Sequence, residues 1–215
     1  MPANLLSGNY QKKCIKGSKF LSSLDQDWNS LVSSVGPCKL NLSIELEPYQ
    51  ALIKSVIFQQ LRPASATAIF NRFKQNFDNN FPTEEKILAS PESKLKESGL
   101  SLNKRKTIIE IARHVQKGEL ENRQDFLMMN DSQIIEKLTK IKGIGEWTAQ
   151  MLMIFNLGKL DVFPAGDFAL RKNYSLFKSI ASPLTMRELS KISEEWKPFR
   201  SIAAWYLWRY RNILN

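Results

Sequence analysis

Leu138-Thr139-Lys140-Ile141-Lys142-Gly143-Ile144-Gly145-Glu146-Trp147-Thr148-Ala149 reads as a helix ending near Lys140, a tight turn at Gly143-Ile144-Gly145, and a second helix running to Leu157 before Gly158. Two glycines around one apolar residue let the backbone adopt conformations that a Cβ forbids and approach a ligand closely, while Ile144 anchors the turn. The first amides of the second helix are unpaired and carry the positive end of its dipole. Lys137, Lys140 and Lys142 add charge beside them. Such a turn suits an anion, and a phosphate would fit there. From the glycines alone, an ordinary helix–turn–helix packing corner accounts for the same residues, because short glycine motifs are common.

The helical period extends outward in both directions. In Glu47–Leu61 the apolar positions Tyr49, Leu52, Ile53, Val56, Ile57 and Leu61 recur at spacings of three and four, which places them on one face. Further amphipathic stretches lie near Ala64–Asn76, Asn103–Lys117, Asp131–Lys140, Trp147–Leu157, Asp167–Phe177 and Ser201–Ile213. Ser90 is expected to cap a helix with Pro91 at its first position and Gly99 as its stop, and Thr185/Glu188 and Asn130/Gln133 have capping-box spacing. These signals predict an all-α protein. Leu40, Leu42, Ile44 and Leu46 alternate with polar residues like a strand. With no partner strand in sight, they are expected to form an extended arm packed on helices.

Of the 215 residues, 43% are hydrophobic and 24% charged, enough apolar side chain to bury the core of one large or two small lobes. One histidine, His114, and two cysteines, Cys14 and Cys38, cannot build a four-ligand zinc or four-thiolate iron–sulfur site; a hard-cation site made of oxygens stays open. Two lone cysteines give no disulfide framework, and Met1–Phe20 has polar residues and lysines where a signal peptide needs an apolar run, so an intracellular protein is expected. Ala149–Leu157 is interrupted by Gln150 and Asn156 and falls short of the roughly 20 apolar residues of a membrane span, so no membrane association is expected. Lys and Arg number 31 against 21 Asp and Glu, and the net charge of +10 favours polyanions, nucleic acid first and an anionic membrane surface second. A solvated basic face is the plain alternative.

Ile141-Lys142-Gly143-Ile144-Gly145 with Trp147-Thr148-Ala149, followed by Asp161-Val162-Phe163-Pro164-Ala165-Gly166-Asp167, resembles the helix–hairpin–helix DNA glycosylases, and within them the 3-methyladenine DNA glycosylase II (alkylbase DNA glycosidase) branch. Ser55-Val56-Ile57-Phe58-Gln59-Gln60-Leu61 is similar to the family's glutamine-bearing loop. Trp196-Lys197-Pro198-Phe199-Arg200-Ser201, leading to Trp208, also agrees. The likeness runs in order from about Glu47 to Arg211 and rests on four motifs.

The resemblance implies that Asp167 is the catalytic carboxylate. The chemistry is sensible on its own terms: breaking the bond between base and sugar develops positive charge on the sugar, which a fixed carboxylate stabilises while it orients a water. Without the resemblance, Asp167 reads as the N-cap of Phe168–Phe177. Bifunctional members, which cut the strand through a Schiff base, have a lysine two residues after the second hairpin glycine. Here that residue is Trp147, so a monofunctional hydrolase without AP lyase activity is implied. Trp147 and Trp208 match base-pocket positions, where a tryptophan face attracts a cationic methylated purine; core packing is the alternative for both, and part of the cluster Trp205, Tyr206, Trp208, Tyr210 must be core. Gln60 matches the wedge that fills the gap left by an extruded base. Arg62-Pro63-Ala64-Ser65-Ala66 departs from the family, with Arg62 free to meet a phosphate or the minor groove. Lys142, Gly143, Ile144 and Gly145 would contact DNA. The main-chain carbonyls of Thr139, Ile141 and Ile144 would hold Na+ or K+, and the chemistry itself needs no cofactor. Lys104, Arg105 and Lys106 read as a solvated face rather than as base readers.

The expectation is therefore two helical lobes, 49–162 with the hairpin and 1–48 plus 163–215, with a cleft between them for the flipped base. The protein would act as a monomer on double-stranded DNA bearing a damaged base or an abasic site, in the nucleoid of a bacterium or the nucleus of a eukaryote. A non-catalytic binder of abasic or alkylated DNA on the same scaffold is the rival, followed by a hairpin scaffold bound to DNA without lesion preference.

Overall fold

The structure, a computed structural model, describes residues 3–120 and 122–210. Among them it is all-helical, with no strand. In chain order the helices are α1 Ala3–Ser22, α2 Gln26–Val35, α3 Pro48–Phe58, α4 Pro63–Gln75, α5 Glu84–Ala89, α6 Glu92–Glu97, α7 Leu102–Gln116, α8 Arg123–Met128, α9 Asp131–Thr139, α10 Glu146–Phe155, α11 Phe168–Phe177, α12 Met186–Ile192 and α13 Arg200–Tyr210, with a 3-10 turn at Ser193–Trp196 before the last. None of the described helices is long and apolar enough to cross a membrane.

The chain divides into two compact units, residues 1–42 with 153–215 and residues 43–152. In the first, Trp28 of α2 sets its ring edge-on to Phe177 at 5.0 Å and to Trp196 at 5.4 Å, a contact preferred by the aromatic quadrupole. The hydroxyl of fully buried Tyr206 lies 2.8 Å from both Ser18 Oγ and the Gly36 carbonyl, so α13 is tied to α1 and to the end of α2. In the second unit, Leu52, Ile53, Val56 and Ile57 of α3 are buried, as are Ile108, Ile111 and Ala112 of α7. The expected inward position of Leu61 is corrected: α3 stops at Phe58, and Leu61 lies beyond it with 38% of its surface exposed.

The helix ends follow local chemistry. Thr185/Glu188 and Asn130/Gln133 form capping boxes. Glu47 and Gln50 form a third ahead of Pro48. Ser90 does not cap α6: it ends α5, donating from Oγ to the Lys86 carbonyl at 2.7 Å, and Pro91 precedes the first helical residue, Glu92. Gly99 does stop α6, at φ +89°. The expected arm covers only part of Leu40–Leu46: Cys38 and Leu40 are buried, Lys39 and Asn41 are exposed, and Gln11 Nε2 holds the Leu40 carbonyl at 3.1 Å, but Ile44–Leu46 turn back, with Leu46 N–H on the Ser43 carbonyl at 3.2 Å. Arg211–Ile213, at the end of the last expected helix, lie outside the described residues, as do Met1 and Pro2.

Candidate active site

The hairpin joins α9 to α10. Ile141 N–H donates to the Leu138 carbonyl at 3.1 Å and Ile144 N–H to the Ile141 carbonyl at 3.0 Å, closing successive turns. Ile141 and Ile144 point inward, 3% and 4% exposed, while Lys142, Gly143 and Gly145 face outward. The glycines have different reasons to be there. Gly143 has φ +96°, and a Cβ on it would stand 2.0 Å from Thr107 Oγ1 of α7. A Cβ on Gly145 would meet no protein atom within 4 Å, so the space it leaves open is outside the protein. Trp147, 39% exposed, lies in the first turn of α10. The Thr139 carbonyl belongs to the last turn of α9, and the Ile141 carbonyl accepts from Ile144 N–H.

The glutamine-bearing turn follows α3. Gln60 is exposed at φ +54°, a conformation unusual for any residue but glycine. Gln59 Nε2 donates to Thr148 Oγ1 of α10 at 2.9 Å, which links the turn to the helix behind the hairpin. Lys104 is not part of a solvated face. Its ammonium donates to the carbonyls of Ile57 at 2.8 Å and Gln59 at 2.9 Å, closing the acceptor end of α3, and burial lowers its pKa below that of an ordinary lysine. Arg105 is also engaged, with Glu92 at 2.9 Å and the Leu100 carbonyl at 2.8 Å, whereas Lys106 is exposed. Arg62 is exposed at the N-cap of α4, and Pro63 fixes the first helical position.

Asp167 caps α11: its Oδ1 accepts from Leu170 N–H at 3.0 Å, and the side chain is half-buried. The turn that carries it is closed by Asp167 N–H on the Pro164 carbonyl at 2.8 Å and fastened to the start of α13. Buried Ser201 accepts from Val162 N–H at 2.9 Å, and its backbone N–H donates to the Leu160 carbonyl at 2.9 Å. Arg200 grips Asp161 through Nε–Oδ1 at 2.8 Å and Nη2–Oδ2 at 3.1 Å. Of the motif's two carboxylates, Asp161 is therefore engaged by a guanidinium, and Asp167 sits at the positive end of a helix. Trp208 is half-buried and stacked on Phe155 at 5.7 Å, whereas Trp205 and Tyr206 are core. Asp167 and Trp208 belong to the unit containing α13; Gln60, Arg62, the hairpin and Trp147 belong to residues 43–152. The contacts by which Lys104, Thr148 and Arg200 build the site have no signal in the sequence, because their partners are far away along the chain.

Residues 53–198 match the HhH-GPD superfamily of base excision DNA repair proteins. The chain belongs to this superfamily. Among HhH-GPD relatives, DNA-3-methyladenine glycosylase 1 of Schizosaccharomyces pombe is 40% identical over 202 residues, covering 93% of this chain and 89% of its own. The alkylbase DNA glycosidase-like protein mag2 of the same organism is 37% identical over 196 residues, covering 90% and 92%. The solved structure of Schizosaccharomyces pombe 3-methyladenine DNA glycosylase (Mag1) in complex with abasic DNA superposes with a TM-score of 0.85 at 39% identity, over 90% of this chain and 95% of that one. The HhH-GPD match takes in Gln60, the hairpin and Asp167, whereas Arg200 and Trp208 follow it.

Proposed function

We propose that this HhH-GPD chain is a monofunctional DNA glycosylase that flips alkylated purines of the 3-methyladenine and 7-methylguanine type out of duplex DNA and hydrolyses their N-glycosidic bond, as a monomer, in base excision repair. The observation that carries the proposal is Asp167, a half-buried carboxylate held at the head of α11 by a turn fastened through Ser201 and Arg200.

The lesion supplies much of the driving force, since an alkylated purine is cationic and leaves with the bond electrons as a neutral base. The enzyme's task is to stabilise positive charge at the anomeric carbon and deliver a water to it, which suits Asp167. Trp147 and Trp208 offer ring faces to the cationic base. The first amides of α10, beside the exposed Gly143 and Gly145 and with Lys142, receive a phosphate, Arg62 meets the backbone or minor groove, and Gln60 enters the duplex in place of the base. The carbonyls of Thr139, Ile141 and Ile144 hold Na+ or K+, which keeps the hairpin in its DNA-binding shape; no cofactor takes part in the chemistry. Trp147 presents no amine for a Schiff base, so strand cleavage is not expected, and borohydride trapping of a covalent DNA adduct at that position would contradict this.

The test is release of 3-methyladenine or 7-methylguanine from methylated duplex DNA by wild type and Asp167→Asn, measured with binding to an abasic-site duplex. Asn keeps the N-cap acceptor, so the variant should fold and bind within a few-fold of wild type while release drops by about a hundredfold or more. Retained release by the variant sinks the assignment. Tight abasic-site binding without release by either protein means a lesion binder.

A further inference from the structure

The two carbonyls that Lys104 holds are those that bracket the end of α3, immediately before the exposed Gln60. A helix end leaves such acceptors without partners, and a cation there also meets the negative end of the dipole. Gln60 follows at φ +54°, a conformation that survives only where its surroundings over-determine it. Those surroundings are identifiable. Lys104 fixes the carbonyl side of the turn, Thr148 fixes the Gln59 side chain at 2.9 Å, and Thr107, one helical turn after Lys104, lies where a Cβ on Gly143 would stand. A single helix, α7, thus supports both the glutamine turn and the hairpin.

We propose that Lys104 is a positioning residue for base flipping: its ammonium holds the Gln59–Gln60 turn, so that Gln60 enters the duplex already in its working conformation. The proposal rests on Gln60 being the wedge, but it does not require that the protein be catalytic. An unheld turn would have to be ordered at the moment of insertion, and that cost would fall on the flipped state rather than on the first encounter with DNA. Two of its three ammonium protons are directed at main-chain oxygens, so the role proposed for Lys104 is to hold the turn and not to bind a phosphate.

The experiment uses the full chain and a duplex with 2-aminopurine beside an abasic-site analogue, where fluorescence rises on unstacking. In Lys104→Met the flipping equilibrium should fall by about tenfold or more, the scale of losing two charge-assisted hydrogen bonds. Affinity for undamaged duplex should stay within about twofold, and the slope of log K against log salt should not change, whereas losing a phosphate contact would lower it by about 0.9. Lys104→Arg, which keeps charge and donors, should recover the signal. Thr148→Val, which removes the other restraint, should lower it independently of how well Lys104→Met folds. A shallower salt slope, or an unchanged signal in Lys104→Met while Gln60→Ala loses it, overturns the proposal. An unchanged signal in Gln60→Ala removes the wedge reading beneath it.

Discussion

The two hairpin glycines should fail in opposite ways when changed to alanine. In Gly143→Ala the new Cβ would stand 2.0 Å from Thr107 Oγ1 and 2.9 Å from Thr107 Cβ and Cγ2, at a backbone φ of +96°. The left-handed backbone costs about 1–2 kcal/mol for a residue with a Cβ. Overpacking against a side chain on a buried helix face costs about 1–3 kcal/mol more. Thr107 cannot rotate away freely, because its hydroxyl donates to the Asn103 carbonyl at 3.0 Å. The sum, about 2–5 kcal/mol, corresponds to a melting point lower by about 4–20 °C for a chain of this size. Gly145→Ala meets no protein atom within 4 Å and precedes the first residue of α10, where alanine costs only about 1 kcal/mol relative to a good cap. Its melting point should therefore stay near wild type. Its affinity for duplex DNA should fall by about tenfold or more, because the Cβ would occupy the space through which a phosphate is proposed to reach the first amides of α10. Thermal denaturation and a fluorescence-anisotropy titration on the same preparations read both quantities. Wild-type DNA affinity in Gly145→Ala would refute the view that this glycine serves the ligand, and a wild-type melting point in Gly143→Ala would refute the packing argument.

Arg200→Met should lower stability by about 1–3 kcal/mol, seen in urea titrations, because it leaves the Asp161 carboxylate, 34% exposed, without its paired donors. Asp161→Asn added to it should recover part of the loss, and additive losses would mean that the pair does not act as a unit. Burial raises the Asp25 pKa, but hydrogen bonds from Lys178 and Trp28 N–H and the charge of Lys178 outweigh it and hold the carboxyl below its usual value. A carboxyl depressed in the folded state stabilises fully above its unfolded pKa of about 3.9 and less as pH falls through the folded value. Lys178→Met should therefore be less stable than wild type at neutral pH, with the gap closing in acid. A gap that is constant with pH would assign the effect to the contact of the Lys178 ammonium with the Phe177 ring face instead.

What could be read from the sequence and what could not differ in the distance over which the signal acts. Capping boxes, the α3 and α7 stripes and the glycine hairpin are written within about four residues, the reach of one helical turn, and the structure places them as read except at Leu61, which lies beyond the end of α3. Helix α1 has no legible apolar stripe, because its buried positions Cys14, Gly17 and Ser18 are small and only Leu21 among its buried residues is a large apolar side chain. Helices α5 and α8, of 6 residues each, are too short to show a period. At the site the same division holds. The hairpin and the N-cap position of Asp167 can be located from local turns, the role of Asp167 only from the family resemblance, but Lys104 reaches a carbonyl 47 positions away, Gln59 reaches Thr148 across 89, and Arg200 reaches Asp161 across 39. None of these partnerships has a local signature, yet they hold the groups that would do the chemistry. A relative that kept the glycines and Asp167 but replaced Lys104 or Arg200 would look like a glycosylase by motif while having a loosened turn at the wedge or the carboxylate. The distinction between an enzyme that releases bases and a protein that only binds their sites is therefore to be sought in these long-range restraints as much as in the motif residues.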